Sequence, residues 1–322
     1  MIEVPKTEPP ECTPITVIKD RDFPGLYQSA DAASLLAQNV YFVLQKIHLA
    51  SLLIGAIIAA FTTLIAEQFA PQFYAAIAII LVVGVIVMLV SRSRRDDKVW
   101  FDCRAIAEST KTAAWRFMMR AAPFADDSDA KQLFVSELQE IREARPFSLK
   151  DLATNIDPNA QSISNVMNDV RSKSLDERRS LYIEARLRDQ KKWYSSKATF
   201  NSSTESCWFW WTTGLQTLAV VLAIVEAVSG GFQVNVVPIL LTCAAAAVAW
   251  SQMKRHSELA QTYSLAAQEL GDQESIAEDI TEEKNFLSLV DQVEETISRE
   301  HTMWCARRDT VLKLNKRETR DG

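Results

Sequence analysis

The chain has 322 residues, with 41 acidic against 35 basic side chains and a formal net charge of -6. A charged fraction of 24% and a mean hydropathy of -0.04 exclude a chain that is mostly membrane, and the acidic balance argues against a nucleic-acid surface. Five scattered cysteines, Cys12, Cys103, Cys207, Cys243 and Cys305, offer neither a disulfide framework nor zinc spacing, so no metal site is read from them.

Residues Met1 to Pro24 hold five prolines and mixed charge, which predicts an irregular tail. Helix is predicted from about Ser29 or Ala30, because Leu35, Leu36, Val40, Val43 and Leu44 recur at helical spacing. No breaker separates this helix from an uncharged apolar stretch, Leu49 to Ala66, and a second stretch follows from Phe73 to Ser91. From Val99 to Met119 there is neither Gly nor Pro, so the exiting helix is expected to run inward until Pro123. Asp126 to Asp129 open a helix carrying Leu133, Leu138 and Ile141. Ser148 with Asp151 has capping-box spacing, and Asp157 before Pro158 reads as an N-cap. Ile163, Val166, Met167 and Val170 mark one helical face. Ser174 can cap a helix that runs through Arg186 and Trp193 toward a third apolar stretch, Ser206 to Val225, and a fourth covers Val234 to Ser251. Beyond it Leu259, Leu265, Leu270, Ile276, Ile280, Leu287, Val290, Val293 and Ile297 give a coiled-coil-like stripe broken at Gly271.

Each apolar stretch approaches the roughly 20 residues that a helix needs to cross about 30 Å of hydrocarbon, and lipid leaves helix as the spanning form here. The chain therefore reads as an all-α membrane protein of two transmembrane hairpins with long cytoplasmic helices. Its organisation is a tail over 1–24, a first two-helix membrane module over 25–147, a helical linker over 148–173, a second module over 174–312 and a tail over 313–322.

The turns Glu67 to Gln72 and Glu226 to Gln233 contain no Lys or Arg, whereas Arg92, Arg94, Arg95 and Lys98 follow the second span and Lys254 and Arg255 follow the fourth. Lys46 precedes the first span, and Lys191, Lys192 and Lys197 precede the third. The positive-inside rule then places both turns outside and both termini in the cytoplasm. Trp208, Trp210, Trp211, Trp100 and Trp250 stand where interfacial rings are expected. Between Glu269 and Glu295 ten acidic residues face the single base Lys284, which predicts a helix held away from the membrane.

The two halves also repeat at the residue level. Gln38 and Tyr41 before the first span parallel Gln190, Trp193 and Tyr194 before the third, and Trp100, Arg104 and Glu108 parallel Trp250, Arg255 and Glu258. The run Trp100-Phe-Asp-Cys-Arg104-Ala-Ile-Ala-Glu108-Ser-Thr-Lys111, followed by Trp115, resembles the bacterial SLATT proteins, the SMODS and SLOG-associating two-transmembrane effectors. Arg186-Leu-Arg-Asp-Gln190-Lys-Lys-Trp193-Tyr194 and Val293-Glu-Glu-Thr-Ile297-Ser-Arg-Glu300-His301-Thr-Met-Trp304 are similar to another branch of that family. The resemblance implies a bacterial inner-membrane effector in anti-phage conflict, one that oligomerises and perforates the membrane when a nucleotide-signalling partner is triggered. The possible partners it implies are the bilayer, further copies of the chain, and a nucleotide second messenger or a separate signalling protein.

On a helical wheel of 100° per residue, Thr212, Gln216, Ala219, Ala223 and Glu226 fall within an arc of about 80° on the third span. Asn235, Thr242, Ala246 and Ala249 make a comparable stripe on the fourth, and Ser51, Gly55 and Thr62 a shorter one on the first. Two readings stay open. Small and hydroxyl residues serve close helix packing in lipid, and they also line water-filled paths, in which case a ring of Glu226 carboxylates at the mouth favours cations. Glu226 can equally reach the outer headgroups, and Glu67 at the other turn reads as a solvated residue. No catalytic constellation or cofactor motif appears: His48, His256 and His301 are far apart, and no Gly-rich phosphate loop accompanies the basic clusters. Arg104 with Glu108 reads as a helix-surface ion pair. The expected function is an oligomeric, triggered, membrane-permeabilising effector. A non-conducting scaffold that recruits a soluble partner through the acidic coiled coil is the alternative, and a transporter lacks the broken mid-membrane helix it needs.

Overall fold

The computed structural model describes residues 18–145, 149–153, 160–229 and 234–298, and no strand occurs among them. The capping readings at Ser148 and Asp157, and Glu300, His301 and Trp304, lie outside the described residues, as do Cys12 and Cys305.

Helix α1 runs Gly25–Phe61, starting earlier than the apolar spacing predicts. Pro24 supplies the reason, since its carbonyl accepts the N–H groups of Tyr27 and Gln28 at 2.9 and 3.2 Å, while the Gly25 N–H donates to the Gln161 carbonyl at 3.0 Å. A Cβ at Gly25 would lie 2.7 Å from the Ala160 Cβ, so this approach requires glycine. Helix α2 covers Ala70–Arg94 and α3 covers Asp96–Met119. Then come α4 over Ala130–Glu143, the short α5 over Leu149–Ala153, α6 over Asn165–Ser172 and α7 over Leu175–Tyr182. Ser164 caps α6, accepting from the Met167 N–H, and Ser174 caps α7 in a reciprocal box with Glu177. A π turn, Ile183–Arg188, leads without a break into α8, Asp189–Ser229. Helices α9, Val237–Lys254, and α10, His256–Ala277, follow, and α11 occupies 283–298.

The C-terminal stripe departs from its sequence reading. Gly271 lies inside an unbroken α10, and the chain turns at residues 278–282 instead. Leu265 and Ile276 are exposed, while Ala266, Leu270 and Ala277 face inward. Close approach of α10 to α8 suits small residues on the inner face, so apolar size alone misassigned it. In α4 the same shift puts Phe134 inside and leaves Leu133 at the surface.

Four helical segments are long and apolar enough to cross a membrane, and the protein is a multi-pass membrane protein. The spans pack as a row, α2 on α1, α1 on α9 and α9 on α8. Their outward residues, Ile79, Val82, Leu89, Val220 and Ile224 among them, are exposed, as lipid contact requires. At 1.5 Å per residue the 37 residues of α1 extend about 55 Å and the 41 of α8 about 60 Å, so each continues far past the hydrocarbon into a helical bundle. That bundle has one core shared by both halves of the chain. A line of rings crosses it from Phe23 to Trp115, Tyr182 and Phe286, with successive centroids 6.2, 5.7 and 6.0 Å apart.

Candidate functional site

The first hairpin is closed by a glycine. A Cβ on Gly84 would lie 2.2 Å from the Ser51 hydroxyl, so α1 and α2 touch backbone to side chain there. The His48 Nδ1 faces the Gly84 carbonyl at 3.2 Å, which assigns it the proton as donor, and the Gln45 amide donates to the Ser91 hydroxyl at 3.2 Å. Gly55 meets Leu81 in the same seam. Ser51 and Gly55 thus serve packing, one of the two readings of the short stripe on the first span.

The second hairpin closes differently. Ala219 on α8 and Ala244 and Ala247 on α9 are buried in this part of the row, where α9 packs on both α8 and α1. Thr212 and Glu226 are half-buried on this covered face, but Gln216 and Ala223 are exposed on its flank. The predicted stripe is therefore split between the seam and the outer surface. The Thr242 hydroxyl donates to the Pro238 carbonyl of its own helix at 2.8 Å, and the Asn235 side chain accepts the Val237 N–H at 3.1 Å in the turn that leads into α9. Glu67 is exposed in the turn Glu67–Phe69. At the bundle end of this hairpin the Asn201 amide N–H donates to the Lys197 carbonyl at 2.7 Å, which leaves its oxygen to accept a hydrogen bond from the His256 Nδ1–H, also at 2.7 Å.

Both hairpins leave the membrane through the same bend. Arg95 has φ 54° and ψ 38°, Arg255 has φ 51° and ψ 40°, and each donates its N–H to a serine carbonyl four residues back, Ser91 at 3.2 Å and Ser251 at 3.0 Å. Left-handed backbone in a non-glycine residue is uncommon, and it occurs at matching points of both halves. The bend also corrects the repeat register. Trp100 stands five residues after Arg95 and Trp250 five before Arg255, so the two are not equivalent positions, although both rings contact Phe42, at 5.4 and 5.7 Å. Of the topology-setting cations, Arg92, Arg94, Arg95 and Arg255 are exposed and Lys98 and Lys254 half-buried; Arg94 pairs with Asp96 at 2.9 Å and Arg255 with Glu258 at 3.5 Å.

This twice-built hairpin has a counterpart in sequence families. Residues 24–179 match the model described as SMODS and SLOG-associating 2TM effector domain 3, and residues 182–304 match domain 1 of the same series. The chain belongs to the SLATT family. It carries two different SLATT domains in tandem, as the resemblance implied. No curated protein matches the chain, and no solved structure does.

The residues that carried the SLATT resemblance lie mainly in helix-to-helix contacts below the membrane. Arg104 reaches across to Asp31 of α1 at 3.2 Å as well as to Glu108 at 2.6 Å, so it joins two helices rather than decorating one surface. Trp115 is buried in the shared core. Tyr194 is buried and Trp193 exposed, each with its ring against Tyr263 of α10, at 5.7 and 5.4 Å. Gln190 is half-buried and donates to Asp189 at 3.4 Å.

What the sequence reading missed is a set of buried charges, most of them paired within one SLATT module and tied across the modules through Thr112 with Glu294 and Arg178 with Glu283. Arg186, in the π turn, grips Glu294 of α11 through two hydrogen bonds of 2.9 and 2.7 Å, with both side chains almost fully buried. Tyr182 at 3.0 Å and Thr112 of α3 at 2.8 Å donate to the same carboxylate. Burial works against the Arg186 charge, yet Glu294 outweighs it and holds the guanidinium more firmly protonated than usual, while burial and then Glu294 push the Tyr182 phenol far above its ordinary value. Arg171 donates to the Phe117 and Phe124 carbonyls at 2.6 and 2.7 Å and to Asp127, and Arg178 donates to the Met119 carbonyl and to Glu283. These cations stabilise the C-terminus of α3, where orphan carbonyls and the helix dipole favour positive charge. A signal was available: Glu294 interrupts the Val290, Val293, Ile297 stripe, and Arg186 stands between the apolar Ile183 and Leu187.

Half of the ten acidic residues from Glu269 to Glu295 are ion-paired within the chain. Glu274 pairs with Arg188 and Lys191, which hold its carboxyl below the usual range, and Glu278 also meets Arg188. Asp291 lies 3.6 Å from Arg116. Among the described residues no cluster of His, Cys, Asp or Glu could hold a metal ion.

Proposed function

We propose that the protein permeabilises membranes as a homo-oligomer, with the bundle and both termini in the bacterial cytoplasm and the spans in the inner membrane. Membership of the SLATT effector family supports a membrane effector role in conflict systems. The observation that carries the finer reading is Gln216. It lies at the middle of the third span, on the exposed flank of α8, at the free edge of a row of helices that does not close on itself. An amide facing hydrocarbon without a partner costs several kcal/mol, so a polar group there calls for another polar surface or water. Further copies docking along the α8 edge supply both, with Gln216 and Ala223 facing the path and Glu226 near its outer mouth. The trigger in this reading is a nucleotide messenger or a separate signalling protein that shifts a closed population toward an open one.

The scaffold alternative relied on an acidic coiled coil, and half of its ten carboxylates, Glu274, Glu278, Glu283, Asp291 and Glu294, are ion-paired within the chain. The test is direct. Full-length protein in liposomes should release a small fluorescent ion, and induced expression should depolarise bacteria once the trigger is present. Gln216→Leu should abolish release while leaving the protein folded and inserted. Wild-type protein that is monomeric in bilayers and passes no current under any trigger would remove the pore from consideration. Conductance and cation preference unchanged in Glu226→Ala would take that residue out of the path.

A further inference from the structure

The two hairpins meet where α1 and α9 leave the hydrocarbon, and that meeting point has more positive charge than its neighbours balance. Phe42 is buried between the Trp100 and Trp250 rings, and the Lys254 ammonium lies 3.4 Å from the Phe42 ring centroid and 5.2 Å from that of Trp250. On the opposite helix Lys46 stands 5.6 Å from the centroid of the same Trp250 ring. Two ammonium groups thus share one aromatic platform. Neither is in an ion pair among the described residues, and the charge that acts on Lys254 is Lys46, which repels it. Asp97 and Arg255 lie on the Tyr41 side of the same corner. Ring quadrupoles attract a cation by about 1 to 2 kcal/mol, but they do not neutralise it. Nearby on this side of the spans Arg94 is matched with Asp96, Arg104 with Asp31 and Glu108, and Arg255 with Glu258.

We propose that the phosphate of an anionic phospholipid, from the leaflet on the bundle side, seats between Lys46 and Lys254 and staples the first hairpin to the second. The position dictates the ligand. The lysines lie a few residues beyond the spans at 49–66 and 234–251, at headgroup depth, where a lipid phosphate is the most abundant anion and Trp250 presents an interfacial ring to its glycerol region. Basic pockets between spanning helices take anionic headgroups for this reason. The site needs only that the four helices are inserted, and it stands or falls separately from permeabilisation.

The test uses the full chain, purified and delipidated in detergent, then offered an equimolar mixture of phosphatidylglycerol and phosphatidylcholine, with retained lipid counted by native mass spectrometry. Wild-type protein should retain phosphatidylglycerol preferentially. Lys46→Gln and Lys254→Gln should each weaken that preference about fivefold, the worth of one basic residue near an anionic surface, and about 25-fold together. Lys46→Arg should keep it. Arg92→Gln, exposed on the same flank, should leave it unchanged. Lys46 is exposed, so Lys46→Gln reads the site even if the double variant fails to fold. Equal retention of the two lipids, or full retention by Lys46→Gln, overturns the proposal. Displacement of the lipid by millimolar inorganic phosphate overturns the lipid assignment in favour of a soluble anion.

Discussion

The two hairpins share a topology and an exit bend, yet they are sealed by different means. The first brings α1 and α2 together over Gly84, with Ser51 in the notch and His48 and Gln45 bonding across the seam. The second buries Ala219, Ala244 and Ala247 and bonds Asn201 with His256 at the membrane edge, while Gln216 stays exposed at mid-span. A closed pair has its polar groups satisfied within itself. An open pair retains one for another surface, so the division of labour between duplicated modules is written in where their polar side chains are satisfied.

The contrast rests on a common frame, and removing the frame has the largest expected effect. Glu294→Ala leaves Arg186 buried without its carboxylate and should cost about 3 to 5 kcal/mol, loosening both hairpins together. Thermal unfolding in detergent checks this, and a replacement of both residues by leucine-sized side chains should recover much of the loss. Next comes the seam of the first hairpin. Gly84→Val drives a side chain into Ser51 and should destabilise by about 1 to 3 kcal/mol, with cross-linking between α1 and α2 reduced; a wild-type melting curve would show that the notch does not hold the pair. At the second hairpin Asn201→Ala strands the His256 ring in a buried site and should cost about 1 to 2 kcal/mol without moving the first hairpin. The smallest effect has the opposite sign. Nothing lies within 4 Å of a Cβ built on Gly214, so Gly214→Ala should stabilise α8 by about 0.5 to 1 kcal/mol, and it separates helix propensity from packing at the two glycines.

Hydropathy made the four spans legible, since runs of uncharged residues at spanning length leave lipid-compatible backbone few options. Ser174 was legible as a helix start because a serine cap is local, and the structure adds Glu177 as its reciprocal partner. The start of α1 was not, because it depends on the Gln161 carbonyl and on Ala160, more than 130 residues away. The inner face of α10 was misread for a related reason: close helix approach favours Ala266 over Leu265, and closeness is a tertiary fact. The stripes of small residues were visible in the sequence, but whether Thr212 or Gln216 faces a partner depends on how α8 lies against α9. Arg186 and Glu294 were unread because a charged residue in an apolar stripe has no meaning until its partner arrives from 108 positions away.

The bend at Arg95 and Arg255 gives each hairpin one rod and one joint. Helices α1 and α8 run unbroken from bundle to membrane, so the α-helical ladder can carry a rotation of the bundle end into the span as torque. At the left-handed residue the chain changes direction, so that α3 packs along α1 and α10 along α8, the two most extensive helix pairings of the molecule. Each module is therefore a continuous helix with a bent partner packed along it, α2 and α3 on α1 and α9 and α10 on α8, which ties the orientation of each span to that of the bundle below it.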